Sequence, residues 1–160
     1  MKKMVINRFT SKLKQNNLAL RYYPDQVLRK SSSLIHTYDK ALQDFAYQMF
    51  SFMQASKGIG LAAPQIGILY RIITIDSEGM ERFLINPEII RSSSNKDIEE
   101  EGCLSLPDQW YTINRSLEVE VKARSPEGKK LHFTAKGLNA RIIQHEIDHL
   151  NGILICDKNV

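Results

Sequence analysis

The pentapeptide His145-Glu146-Ile147-Asp148-His149 constrains this chain more than any other stretch. Histidines four apart on a helix project from one face, one turn apart. Two imidazoles can then address a single ion while Glu146 stands beside the ion rather than on it. The helix must also be buried. From about Gly137 to Leu150, Ala140, Ile143, Ile147 and Leu150 occupy one face and Leu138, Ile142, His145 and His149 the other, so apolar side chains lie on both sides. Two satisfied core histidines are the bland alternative, but grouping His, Glu, Asp and His on so apolar a helix carries several desolvation penalties unless a metal is bound. Asn151-Gly152 closes the segment with residue types that tolerate a left-handed cap.

The rest of the chain predicts strands and one further helix around this element. Leu42, Phe45, Ala46, Met49 and Met53 recur at the spacing of one helical face between Thr37 and Ser56, with Thr37 as the expected N-cap. This Met and Phe stripe reads as core. Gly58-Ile59-Gly60-Leu61-Ala62-Ala63-Pro64-Gln65-Ile66-Gly67 reads as a loop too small in its side chains for a core, serving close backbone approach. Strands are expected over Leu69 to Ile75 and Phe83 to Ile90, with Pro87 marking an edge or bulge. Leu117, Val119, Val121 and Ala123 alternate, Ser125-Pro126-Glu127-Gly128 turns, and Leu131, Phe133 and Ala135 alternate back, so an antiparallel hairpin is expected. The class is α+β, with antiparallel or mixed strands packed around a buried C-terminal helix that carries the histidines.

Two histidines leave a metal under-coordinated. A zinc-peptidase pattern that continues H-E-x-x-H-x-x-G-x-x-H would place its third ligand at Ile155, which cannot ligate, although Gly152 does fill the glycine position. A downstream glutamate is the other common solution, and no glutamate follows Glu146. Cys103, in the turn-like segment Glu101-Gly102-Cys103-Leu104-Ser105-Leu106-Pro107, is the remaining candidate. A Cys-His-His set would leave a fourth position open, as in a catalytic rather than a structural site. A small buried hydrophobe is the competing account of Cys103, and the one preferred for Cys156.

Composition narrows the partners. At 160 residues one domain is expected. Residues 1–24 hold six of the 22 bases and none of the 18 acids, so the net charge of +4 is an N-terminal property and the body is mildly acidic. The scattered bases offer no DNA footprint, and no stretch approaches the roughly 20 apolar residues of a membrane span. The division expected is a basic arm over residues 1–19 and a single catalytic domain over 20–160. The arm reads as solvated, with organellar targeting or a contact to anionic ribosomal RNA as the other readings. Two cysteines do not make a disulfide framework, and a reducing compartment is expected.

Taken together, Gly58-Ile59-Gly60-Leu61-Ala62-Ala63-Pro64-Gln65, Glu101-Gly102-Cys103-Leu104-Ser105 and Gln144-His145-Glu146-Ile147-Asp148-His149 resemble the three motifs of the peptide deformylases in order and spacing. The resemblance runs from about residue 20 to 158. It implies a metal-dependent hydrolase that removes the formyl group from the N-terminal formylmethionine of new proteins and releases formate, in the bacterial cytoplasm or an organelle, with transient ribosome contact. It implies Cys103, His145 and His149 as ligands of one divalent metal, Fe2+ in the cell, with Zn2+, Ni2+ or Co2+ able to replace it. Glu146 would move the proton, and the Gln65 amide and Leu104 backbone N–H would face the oxyanion. Gly60 would hold substrate backbone, and Ile59, Leu138 and Ile142 would receive the methionine side chain. The alternative function is an inactive or structural metal-binding relative with a ribosome-associated role. Two positions depart from some family members: Trp110 in place of arginine and Arg141 in place of an apolar residue, both expected to bear on substrate rather than on the metal set. Arg115 is expected to support the cysteine loop electrostatically with Glu101 as partner, or else to form a solvated surface pair with it.

Overall fold

The computed structural model describes Leu13 and residues 17–160, so most of the expected arm lies outside the described residues. Seven strands are described: β1 Gly60–Ala62, β2 Ile72–Ser77, β3 Met80–Ser92, β4 Lys96–Cys103, β5 Leu106–Ser116, β6 Glu118–Arg124 and β7 Lys130–Lys136. Helix α1 is Lys40–Ala55 and helix α2 is Gly137–Leu150. The strands form an antiparallel five-stranded sheet in the order β1-β2-β3-β6-β7 and a separate β4-β5 ribbon, the α+β class the sequence predicts.

Helix α1 begins later than expected. Asp39, not Thr37, is its cap, in extended backbone with its carboxylate accepting from the Leu42 N–H at 3.0 Å. A charged acceptor at this end also meets the positive pole of the helix. The predicted stripe is core: Leu42, Phe45, Ala46, Met49, Phe50 and Met53 are buried, a contribution of roughly 10 kcal/mol as an upper bound.

Successive strand residues point to opposite faces, and here both faces are covered. Leu61, Ile72 and Ile85 pack with α1. Their neighbours Ala62, Ile73 and Leu84 join Val119, Val121 and Ala135 against Ala140, Ile143 and Ile147 of α2. The glycine-rich segment is therefore not the loop it resembles. It holds edge strand β1 and a 3-10 turn over Ala63–Ile66, and Leu61 to Ile66 are all buried. Its small side chains fit because the segment threads between the two helices, where space rather than hydrophobicity is limiting.

Strand β2 starts three residues later than expected because Leu69 to Arg71 bond instead to Ser33, whose N–H donates to the Leu69 carbonyl and whose carbonyl accepts from Arg71. The bulge at Pro87 is present, between the Ile85 and Glu88 registers of β3. The β6-β7 hairpin pairs Val119 with Ala135, Val121 with Phe133 and Ala123 with Leu131, the alternation read from sequence. Ribbon β4-β5 is the element the sequence hides: Glu101-Pro107, expected as a turn, is the end of β4, a tight turn at Leu104-Ser105, and the start of β5.

Helix α2 has the expected bounds. Gly152, beyond its end, has φ +73°, and a Cβ there would lie 2.4 Å from the Arg29 carbonyl oxygen, so only glycine fits. Ile155, the residue that cannot ligate, is buried in a third apolar cluster with Leu28, Leu106, Ile113 and Leu154. Among the described residues no helix is long and apolar enough to cross a membrane.

Candidate metal centre

Helix α2 brings His145 and His149 to the ribbon, and the end of β4 brings Cys103. The two Nε2 atoms are 3.2 Å apart, and His149 Nε2 is 3.3 Å from Cys103 Sγ. The three ligand atoms lie within 4.8 Å of one another. One sulfur and two imidazole nitrogens are a donor set suited to Fe2+ or Zn2+, and three protein ligands leave a position for solvent or substrate. The residues therefore fit a divalent metal.

The rear of the site fixes this geometry. His145 Nδ1 donates to Glu101 Oε2 at 2.9 Å, which turns Nε2 toward Cys103 and His149. Glu101 is 6% exposed and also receives both Nε and Nη2 of Arg115, each at 2.9 Å, and Nη1 of Arg141 at 2.8 Å. Arg115 reaches Asp148 on α2 as well. Glu101 and Arg115 are thus a buried fork, and the solvated-pair alternative does not hold. Burial works against the charged form of Glu101, but the Arg115 and His145 hydrogen bonds outweigh it and hold the carboxyl well below the usual range. Breaking such a pair from one side costs about 3–5 kcal/mol. His145 is pulled down by burial, yet bonding to Cys103 and Glu101 pushes it up to about 10. His149, fully enclosed, is driven well below its ordinary value by burial, then by the charges of His145 and Arg115.

At the front stands Glu146, 4% exposed, with Oε2 buried and without a hydrogen-bond partner. Burial raises its pKa to about 7, against the opposing charge of His145. Its other oxygen lies against the backbone of β1: a Cβ on Gly60 would be 2.5 Å from Oε1. Gln65 Oε1 accepts from the Ala62 N–H at 2.9 Å, which leaves Nε2 to donate toward Cys103 Sγ at 3.5 Å and Ser105 Oγ at 3.2 Å.

These residues open onto a cavity of about 530 Å³ lined by Ile59, Gly60, Gln65, Cys103, Leu104, Leu138, Ile142, His145 and Glu146 among others. Every site residue picked out from the sequence is at this wall except His149, which is buried behind it. Trp110 is 68% exposed at the cavity and its ring covers Gly102, where a Cβ would come within 2.9 Å of it. Arg141 lines the same cavity, in keeping with an effect on substrate, and has a second set of contacts that was not expected. Its guanidinium is buried in ion pairs with Glu101 and Asp97, which places it behind His145, the residue that shares Glu101 with it. Sequence reasoning missed Ser105, Asp148 and the bond from Glu101 to His145. Alternation could not have shown the last, because the β4 register shifts between Glu101 and Cys103.

Residues 18–160 match the family model described as polypeptide deformylase. The peptide deformylase of Thermodesulfovibrio yellowstonii is 44% identical over 146 residues, 88% of each chain. Peptide deformylase 1 of Clostridium acetobutylicum is 43% identical over 140 residues, 88% of this chain and 93% of that protein. Among solved structures, the Thermotoga maritima peptide deformylase superposes with a TM-score of 0.88 at 36% identity, covering 91% of this chain and 99% of that one. The Synechococcus elongatus peptide deformylase in complex with actinonin gives a TM-score of 0.87 at 39% identity, covering 92% and 83%.

Proposed function

The chain belongs to the peptide deformylase family, and from that premise we propose that Cys103, His145 and His149 hold one divalent metal at which Glu146 manages the protons of formyl-group hydrolysis. The family is metal-dependent, and the activity is removal of the N-terminal formyl group with release of formate. The observation that carries the residue roles is the convergence of Cys103 Sγ and the two Nε2 atoms beside a buried, unpartnered carboxylate.

When bound, the metal supplies Lewis acidity, which lowers the pKa of water and polarises a carbonyl. Burial raises Glu146 to about 7 in the metal-free site; beside the bound metal its carboxylate would take the proton of the attacking water and give it to the departing amine as the C–N bond breaks. Formate and a free N-terminus result. Gln65 Nε2 is held by the Ala62 bond to its oxygen, and with the Leu104 N–H it would donate to the developing oxyanion. Gly60 lets substrate backbone approach, and Ile59, Leu138 and Ile142 give the methionine side chain an apolar wall.

Fe2+ is the metal we assign in the cell; Zn2+, Ni2+ and Co2+ suit the same donors. The substrates proposed are N-formylmethionyl peptides in the bacterial cytoplasm, met transiently at the ribosome. Two free thiols, Cys103 and Cys156, suit that reducing setting. An inactive structural relative would need neither the Glu146 nor the Gln65 arrangement, and no observation favours it.

The test is formate release from formyl-Met peptides under anaerobic conditions with Fe2+ supplied, beside the Cys103→Ala variant. Turnover by the wild type with loss of both metal and turnover in the variant is expected. A full metal complement in Cys103→Ala would point to another third ligand.

A further inference from the structure

Arg141, His145 and His149 are spaced four apart on α2 and so share one face, the face turned to the β4-β5 ribbon. The ligands, however, come from two bodies, since Cys103 ends β4 while the histidines ride on α2. Nothing within either element fixes the distance between them. Arg141 spans that gap. Its Nη1 donates to Glu101 Oε1 at 2.8 Å and to the Ile113 carbonyl at 3.1 Å, and its Nη2 donates to the Asp97 carbonyl at 3.1 Å and to Asp97 Oδ1. One planar guanidinium thus grips β4 at two points and β5 at one.

We infer that Arg141 is a positioning residue for the metal set, clamping the ribbon that ends in Cys103 to the helix that carries the histidines, with Glu101 as the shared joint. The inference rests on the metal reading proposed above. Glu101 divides its oxygens between the two tasks: Oε1 takes Arg141, and Oε2 takes His145 Nδ1. Arg115 works in the opposite sense, from β5 to Asp148 of α2, so the two arginines cross the junction in both directions. Arg115 alone would leave Glu101 held but the Asp97 end of the ribbon untied. Loss of Arg141 therefore frees Cys103 to drift relative to the two Nε2 atoms while the apolar packing of α2 stays intact.

The experiment compares the wild type with Arg141→Met, which keeps the length of the side chain and removes the fork. Zn2+ affinity is measured by competition with a chromophoric chelator, and the Co2+-loaded proteins are compared by their thiolate charge-transfer absorption. The expected result is about tenfold weaker Zn2+ binding, the low end of the loss seen when a group behind a metal ligand is removed, with a shifted or weakened Co2+-thiolate band. At saturating metal, kcat for a formyl-Met peptide falls while KM is unchanged. Equal Zn2+ affinity and an unshifted band overturn the clamp. If Arg141→Met does not fold, Asp97→Asn replaces it, since that side chain is 40% exposed; the same direction of change, smaller in size, is expected, and wild-type Zn2+ affinity there overturns the clamp. Failure of the wild type itself to take up Zn2+ overturns the metal reading instead.

Discussion

Gly60 and Glu146 are in backbone-to-carboxylate contact: a methyl group on Gly60 would stand 2.5 Å from Glu146 Oε1 and 2.8 Å from Ile142 Cγ2. Glu146 is little exposed but lines the cavity, so the space open to a displaced carboxylate is the space before the metal ligands. Gly60→Ala should therefore re-aim the carboxylate while leaving Cys103, His145 and His149 in place. Expected is a fall in kcat of about 10²-fold, the lower end for a lost general base, with full metal content by elemental analysis. A variant with wild-type kcat would remove this close approach from the account of the site.

Glu146→Gln keeps the shape of that side chain and removes its basicity. Formate release should fall by about 10²–10⁴-fold while metal is retained. Stability should move the other way. The folded pKa of about 7 lies above the ordinary 4.5, so the folded state binds the proton more tightly. The stability this gives is complete below 4.5 and lost as pH rises toward 7. Metal-free Glu146→Gln should thus melt above metal-free wild type at neutral and higher pH, as scanning calorimetry would show; a lower melting point would mean that the carboxylate is paired.

Asn86 tests the frame rather than the site. It has φ +51° at the bulge of β3, accepts from the Ile35 N–H at 2.9 Å, and donates to the Ile35 carbonyl at 2.7 Å and to Tyr38 Oη at 3.2 Å. Asparagine tolerates that backbone region better than most residues. Asn86→Ala should cost roughly 2–3 kcal/mol in urea unfolding, about 1 kcal/mol per bond with added strain, with the metal site intact. A loss below 0.5 kcal/mol on that order-of-magnitude scale would make these bonds neutral.

The C-terminal helix and the hairpin were legible because their patterns are local: His145 to His149 and Val119 to Ala123 state their periods within one element. The glycine-rich segment misled for a related reason. Ala62, Ala63 and Pro64 look too small for a core, and they are buried because two helices close on them from opposite sides, a fact no single window contains. Ribbon β4-β5 was hidden by its own composition, since Lys96 to Glu100 are mostly exposed and polar. Half of the surroundings of Arg141 were hidden with it. On an isolated helix it faces the substrate wall, and only the ribbon shows that Asp97 and Glu101 have already taken its charge.

Glu101 should dominate the acid limb of stability. Its folded pKa is depressed, burial being outweighed by Arg115 and His145, so its contribution is fully present above the unfolded value of 4.5 and drains away as pH falls below it. Wild type should therefore lose melting temperature progressively once pH falls below about 4.5, with no levelling off by about pH 3, because the folded carboxyl is still ionised there. Glu101→Gln should be less stable at neutral pH by about 3–5 kcal/mol, since Arg115 and Arg141 then share a neutral amide in a buried place. It should also show a flatter acid limb, because the group whose protonation drives the loss is gone. Melting curves of the two proteins across that range decide the matter: parallel acid limbs would assign acid unfolding to other carboxylates.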